Sequence, residues 1–269
     1  MEKVKIVDLL LRDPRYADRL RLEPFGNKIF SQFDEDGIIQ EIFRRIGTTN
    51  KRFVEFGVGT GIENNTLALL LYGWKGLWIE GGGSSVRRIE SQFSDVLSGA
   101  RLTLIHSFIT ADNINALIGT WGQGEIDLLS IDIDGNDYYV FDAIDVVQPR
   151  VVVIEYNAKF PPDLSVVQRY KPDHLWGLTD YYGASLAALE RLGRKKGYAL
   201  VGCNLAGANA FFVRQELAEG KFQKPFTAAN HYQPARYFLW QLYVSGQSYV
   251  PAWGEYRRVS ESGNVEQFD

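Results

Sequence analysis

Two acids bracket a run of glycines early in the chain. In RFVEFGVGTGIENN, Glu55 stands two residues ahead of Gly57, and Gly59 and Gly61 follow at every second position. Glu80 closes the next apolar run, KGLWIE. Glycines in a strand-to-helix turn let backbone amides approach a ligand closely. A dinucleotide fingerprint would place its third glycine where Ile62 stands, and a phosphate loop would need Gly-Lys-Ser/Thr, which is absent. An acid beside the loop also repels a pyrophosphate and suits a ligand with a cationic end. A carboxylate after the second strand of a nucleotide-binding sheet can accept hydrogen bonds from ribose hydroxyls. The set therefore fits an adenosyl ligand with a positively charged amino-acid tail. S-adenosylmethionine, with an ammonium, a sulfonium and no phosphate, has that chemistry.

These residues need elements that bring them to one edge. SQFDEDGIIQEIFRRIG spaces Ile38, Ile39, Ile42, Phe43 and Ile46 along one helical stripe, with Gly47 as its stop. RFVEFG, KGLWIE, RLTLIHSFI, IDLLSIDID and RVVVIEYN are short apolar runs that alternate with helical segments. That order implies a parallel sheet with right-handed crossovers. YALVGCN and NAFFVRQ, joined only by LAGA, must be antiparallel, because a parallel pair needs a longer crossover. The expected fold is α/β: a doubly wound, mostly parallel, Rossmann-like seven-stranded sheet closed by an antiparallel C-terminal hairpin. It forms a single domain over 1–269, with its core at about 31–214, a lead-in helix and an irregular extension at 215–269. Ligands of such sheets bind beyond the carboxyl ends of the strands. The strand-end acids Glu55, Glu80, Asp132, Asp134 and Glu155 mark that edge. The stretch 158–180 is too long for an ordinary connection and reads as functional. With the tail, it is expected to form the acceptor side of the site and to move on binding.

The ordered set EFGVGTG, WIE, SIDIDG and terminal hairpin resembles class I S-adenosylmethionine-dependent methyltransferases, and more closely the FkbM-like group. VEFGVGTGIENNTLALLLYGWKGLWIEG and DLLSIDIDGNDYYVFDAI carry the likeness, and SQFDEDGII is similar to the group's lead-in helix. The resemblance implies that Glu55, Gly57, Gly59 and Gly61 line the methionine part and that Glu80 takes the ribose. It further implies that Phe108 and Ile109 flank adenine and that Asp132 lies next to the methyl group. Asn65 would face the ligand, with Ser31 and Gln32 covering it.

Composition bounds the alternatives. The net charge of −4 argues against a nucleic-acid partner, and one cysteine, Cys203, excludes an internal disulfide. Three histidines and that cysteine make a tetrahedral zinc site improbable. No transmembrane length of apolar residues is found, so a cytoplasmic protein without a membrane partner is expected. The expected activity is methyl transfer to an oxygen of a small molecule or sugar hydroxyl. Its rivals are a nicotinamide-dependent oxidoreductase and a non-catalytic binding module on the same fold. For catalysis, Asp132 as a general base ranks first. The alternative is a Mg²⁺ ion held by Asp132, Asp134 and Asn157 at neighbouring strand ends, provided the chain turns after Asp132. Alternating strand residues otherwise point to opposite faces.

Overall fold

A computed structural model describes residues 2–240 and 250–266. Its strands, in chain order, are β1 (Arg52–Phe56), β2 (Lys75–Glu80), β3 (Leu102–His106), β4 (Gly124–Ile131), β5 (Val147–Glu155), β6 (Val166–Gln168), β7 (Tyr198–Cys203), β8 (Asn209–Arg214) and β9 (Tyr256–Arg258). The helices are α1 (Glu2–Leu10), α2 (Glu35–Ile46), α3 (Leu67–Leu71), α4 (Gly83–Gln92), α5 (Ser94–Ser98), α6 (Ile114–Gly119), α7 (Asp137–Ala143), α8 (Leu186–Lys195), α9 (Gln215–Ala218) and α10 (Ala228–His231).

Seven strands form one sheet in the order β3-β2-β1-β4-β5-β8-β7. β1 pairs in parallel with both β2 and β4, and β4 in parallel with β5. β8 runs antiparallel to β5 and to β7. The expected doubly wound sheet with its antiparallel closing hairpin is the fold observed. β1 and β4 are buried along most of their length because helices cover both faces of a parallel sheet. On one face Val54, Leu129, Val152 and Phe212 pack with α6, α7 and α8; on the other Phe53, Leu128, Val151 and Phe211 pack with α2 and α4. Each such fully buried side chain contributes about 1.5–3 kcal/mol relative to exposure.

The lead-in helix α2 is tied to the far side of the sheet through acids. Asn204 and Asn209, at the β7–β8 turn, each donate to Glu35 Oε1 at 2.8 Å, and the Leu205 amide donates to Asp34 at 3.0 Å. At the opposite edge of the sheet, Asp127 accepts from the Thr49, Asn50 and Lys51 amides and pairs with Arg150 at 2.8 Å. Asn209 is in register with Glu155 at the carboxyl end of β5, so the first of these anchors stands at the edge that holds the site.

Two strands were not foreseen, nor were the helices α1, α9 and α10. β6 lies in the long 158–180 stretch and pairs antiparallel with β9, in the tail. Of the extension expected to be irregular, residues 241–249 and 267–269 lie outside the described residues.

Candidate functional site

The glycine loop rests on Glu55. That carboxylate is 3% exposed. Its Oε1 accepts from the Asn65 amide at 2.8 Å and from the Ser130 hydroxyl at 3.1 Å. Its Oε2 accepts a short bond from the Thr66 hydroxyl, whose oxygen accepts from the Trp78 indole at 2.8 Å. Burial pushes the Glu55 pKa up to about 7, against the lowering effect of the Thr66, Asn65 and Ser130 hydrogen bonds. Asn65, expected to face the ligand, is also buried and donates its side-chain amide to Ser130 at 3.1 Å. Glu55 and Asn65 therefore lie behind the loop, where they join β1, β4 and the start of α3.

The loop itself is built by close approach and opened by a second acid. Gly57 has φ +69°, and a Cβ there would lie 1.6 Å from the Asp132 carbonyl oxygen. The ends of β1 and β4 touch at this point. Gly59 has φ +54°, and a Cβ there would meet nothing within 4 Å. Its amide donates to Glu80 Oε2 at 2.9 Å, while Gly82 donates to Glu80 Oε1 at 2.7 Å. Glu80 is thereby fixed by two backbone amides and keeps accepting capacity, since an ionised carboxylate has about four lone-pair sites. Gly61 packs against Trp78 and Phe93.

Two cavities meet over this loop. The smaller, about 370 Å³, is lined by Gly57, Gly59, Glu80, Phe108, Ile109, Asp132 and Asp134, with His174 to Trp176 above. The larger, about 660 Å³, is lined by Gln32, Gly57, Gly59, Glu63, Asp132, Asp134, Glu155, Trp176 and Leu178. Gly57, Gly59, Asp132, Asp134 and Trp176 belong to both. Of the residues expected to touch a cofactor, Gly57, Gly59, Glu80, Phe108, Ile109 and Asp132 share the smaller cavity, and Gln32 lines the larger. Ser31 is fully buried and donates to Asp36 at 2.8 Å. Among the described residues, no Lys or Arg lines either cavity.

The strand-end acids converge differently from expectation. Ligand oxygens of Asp132, Asp134 and Glu155 all lie within 4.8 Å of one another. Asp132 and Asp134 share a side because Asp134 itself adopts φ +55°, so the chain turns one residue before Gly135. Asp137 holds that turn by accepting from the Ile133 amide at 2.9 Å and the Gly135 amide at 2.8 Å. Asn157 does not join the cluster. It is 2% exposed, donates to the Asp180 and Tyr182 carbonyls at 2.9 and 3.0 Å, and accepts from the Lys159 amide at 3.1 Å. This corrects its expected role beside Asp132: both its side-chain hydrogens are engaged by a buried loop, and it is among the lining residues of neither cavity. Glu155, two residues earlier on β5, takes the place.

Crowding of these acids changes their chemistry. Burial, then the charges of Asp137 and Glu80, raise Asp134 to about 6. Burial, then Asp134 and Asp137, hold Asp132 well above the usual carboxylate range. Glu155 is raised in the same way by burial, Asp132 and Asp134, and its Oε2 is buried with no hydrogen-bond partner. Three carboxylates that cannot all ionise cheaply can share protons, accept a proton from a substrate, or gather a cation such as Mg²⁺.

The stretch 158–180 reaches over the cavities, carrying His174, Leu175, Trp176 and Leu178. It is pinned by the tail: the Asp180 amide donates to Val250 at 3.1 Å, the Ala252 amide donates to the Asp180 carboxylate at 2.9 Å, and Lys159 pairs with Asp180 at 3.0 Å. Sequence reasoning marked this segment but missed Trp176 as a wall of both cavities. The signal was available in PDHLWGLTD, where large apolar residues interrupt a polar loop.

Comparison with known proteins follows the same line. Residues 107–195 match the model of the methyltransferase FkbM domain. The FkbM-like resemblance is thereby found over β4, β5 and the overhanging segment. The match supports S-adenosylmethionine-dependent methyl transfer as the class of activity. The chain has no match among curated proteins. Among solved structures it is similar to the N-terminal domain of EvdMO1 with SAH bound, at 17% identity and a TM-score of 0.43, over 79% of this chain and 95% of that one. It is also similar to a SAM-dependent methyltransferase from Aquifex aeolicus, at 12% identity and a TM-score of 0.41, over 79% and 97% of the two chains. The methyltransferase domain of bacterial CtHen1-C aligns at 13% identity and a TM-score of 0.44, over 68% and 97%. Likeness at this level carries no weight for substrate or mechanism. Among the described residues, no helix is long and apolar enough to cross a membrane.

Proposed function

We propose that the protein transfers a methyl group from S-adenosylmethionine to a hydroxyl of a small acceptor. The observation that carries this reading is the pair of cavities joined at Gly57, Gly59, Asp132 and Asp134. The smaller suits an adenosyl group: Glu80 is presented for ribose hydroxyls, and Phe108 and Ile109 offer apolar surface for a base. Carboxylates without a Lys or Arg in the lining oppose a pyrophosphate and so count against the nicotinamide reading. When bound, S-adenosylmethionine supplies an electrophilic methyl on a sulfonium.

The remaining work belongs to the chain. Proximity and orientation account for most of the rate effect in such a transfer, and two cavities that share a wall supply them. Asp132, common to both, is placed to take the proton of an acceptor hydroxyl, and the burial and neighbouring carboxylates that raise its pKa make it a stronger base when ionised. The acid trio is also a hard-oxygen set of the kind that holds Mg²⁺. Comparing turnover in EDTA with turnover in added Mg²⁺ separates a lone base from a metal-assisted one.

The test of the cofactor assignment is calorimetry with S-adenosylhomocysteine. Loss of charge-assisted hydrogen bonds costs roughly 1.5–3 kcal/mol. Glu80→Ala is therefore expected to weaken binding at least tenfold. Unchanged affinity removes the ribose role of Glu80, and no binding by the native protein removes the methyltransferase reading.

A further inference from the structure

Among the described residues, the larger cavity is lined by four carboxylates, those of Glu63, Asp132, Asp134 and Glu155, and by no basic side chain. Glu63 is balanced by Lys28 at 2.9 Å. The other three have their oxygens within 4.8 Å of one another. The charges that act most strongly on them are again carboxylates: Asp137, Glu80, Glu55 and Glu35. His174, from the overhanging segment, lines the adjoining cavity. A second, independent feature is that Glu155 Oε2 is buried with no hydrogen-bond partner among the described residues. A third is the rest of the lining, which includes the apolar side chains of Trp176 and Leu178.

A cavity lined by acids and an aromatic residue selects for one kind of guest. Burial and neighbouring carboxylates already make ionisation of the trio costly, and an anionic group adds to that cost whereas a cation offsets it. A neutral hydroxyl finds acceptors in excess and gains no charge attraction. An ammonium can donate up to three hydrogen bonds to carboxylates and is also drawn to an indole face. S-adenosylmethionine in the smaller cavity leaves this imbalance in place. Its ammonium and sulfonium offset two charges and its own carboxylate restores one.

From this chemistry we propose that the larger cavity admits an acceptor carrying a protonated amine, which Asp134 and Glu155 hold beside Trp176 while Asp132 serves the hydroxyl to be methylated. Acceptors bearing phosphate, sulfate or carboxylate near that hydroxyl are excluded. The amine is recognised and not methylated, since a protonated nitrogen has no lone pair to attack with. This inference rests on the methyltransferase reading of the site.

The test uses tyramine, tyrosol and 4-hydroxyphenylacetate, which share a phenol ring and end in an ammonium, a hydroxyl and a carboxylate. Each is titrated into the full chain saturated with S-adenosylhomocysteine, at low salt with EDTA present. Tyramine is expected to bind at least tenfold tighter than tyrosol, and 4-hydroxyphenylacetate more weakly than either. Glu155→Gln and Asp134→Asn should each cut the tyramine-to-tyrosol ratio at least fivefold. Glu155→Asp, which keeps the charge, should retain most of it. Folding of each variant is checked by its melting curve. Absence of tyramine binding, equal binding of tyramine and tyrosol, or tightest binding of the acid overturns the proposal. So does a preference that survives both charge-removing substitutions or one that appears only when Mg²⁺ replaces EDTA. Failure to bind S-adenosylhomocysteine would sink the methyltransferase reading instead. The three probes titrated into the free protein would then still decide the amine.

Discussion

Gly57 and Gly59 have similar backbone angles but opposite surroundings, so alanine at each separates strain from contact. Both have positive φ, +69° and +54°. An L-residue in that region costs roughly 1–2 kcal/mol. Lower unfolded-chain entropy returns about 0.4–1 kcal/mol of this at either site. At Gly59 nothing stands within 4 Å of the new methyl, so the net loss should stay near 1 kcal/mol. At Gly57 the methyl would lie 1.6 Å from the Asp132 carbonyl oxygen and 2.8 Å from its carbonyl carbon. Backbone cannot rotate out of the way as a side chain can, so the ends of β1 and β4 must separate. Overpacking of this kind costs typically 1–3 kcal/mol, and its rigid partner places it at the upper end. Gly57→Ala should therefore lose about 3–4 kcal/mol in all, a large share of the ~5–15 kcal/mol by which domains are stable. At about 2–4 °C per kcal/mol, its melting point should fall by roughly 6–16 °C, against a few degrees for Gly59→Ala. Urea unfolding and thermal melts measure both. Equal losses at the two positions would refute the claim that the β1 and β4 ends touch here. S-adenosylhomocysteine calorimetry adds a second contrast: Gly57→Ala displaces Asp132, whereas Gly59→Ala only narrows the cavity mouth.

Two further predictions concern the buried support. Glu55 has a folded pKa raised from 4.5 to about 7, so the folded state holds a proton that the unfolded chain has already released. Its contribution to stability must fall as pH rises from about 4.5 to about 7 and stay level above that, a change on the order of 3 kcal/mol. Glu55→Gln lacks this titration. Its stability relative to the native protein should improve steadily between pH 5 and pH 7 in urea titrations, and a pH-independent difference would show that Glu55 is already ionised in the fold. Asn157→Ala leaves the carbonyls of Asp180 and Tyr182 unpaired, which costs about 1–3 kcal/mol. Hydrogen exchange should rise across 178–184 while S-adenosylhomocysteine affinity stays within twofold, and a large loss of affinity would return Asn157 to the site.

Much of this molecule is legible locally. Apolar runs that alternate with helical segments dictate a sheet covered on both faces, and the four-residue joint LAGA forces β7 and β8 antiparallel. The glycines mark a turn because only glycine takes positive φ cheaply. Glu80 is legible for the same reason: it ends an apolar strand at the edge where amides and ligands gather. What each acid faces is not local. Glu55 looks like a ligand group in the sequence, but Thr66, Asn65 and Ser130 close around it only when β1, β4 and α3 pack. Glu155 ends β5 and Asn157 stands two residues past it, and nothing in IEYN says which of them reaches Asp132. The packing of residues 180–182 against β5 decides it, by engaging the amide and leaving the carboxylate. Asp134 turns the chain because Asp137 captures the amides of Ile133 and Gly135, a bond set that needs the start of α7 in place. The wall over the cavities is set at still longer range, since the 158–180 stretch is held by pairing of β6 with β9 some ninety residues away. Sequence alone determines which residues can do chemistry and on which edge of the sheet they stand. Tertiary packing decides which of them keep an atom free to do it, because a buried polar group must be satisfied by whatever neighbour the fold brings.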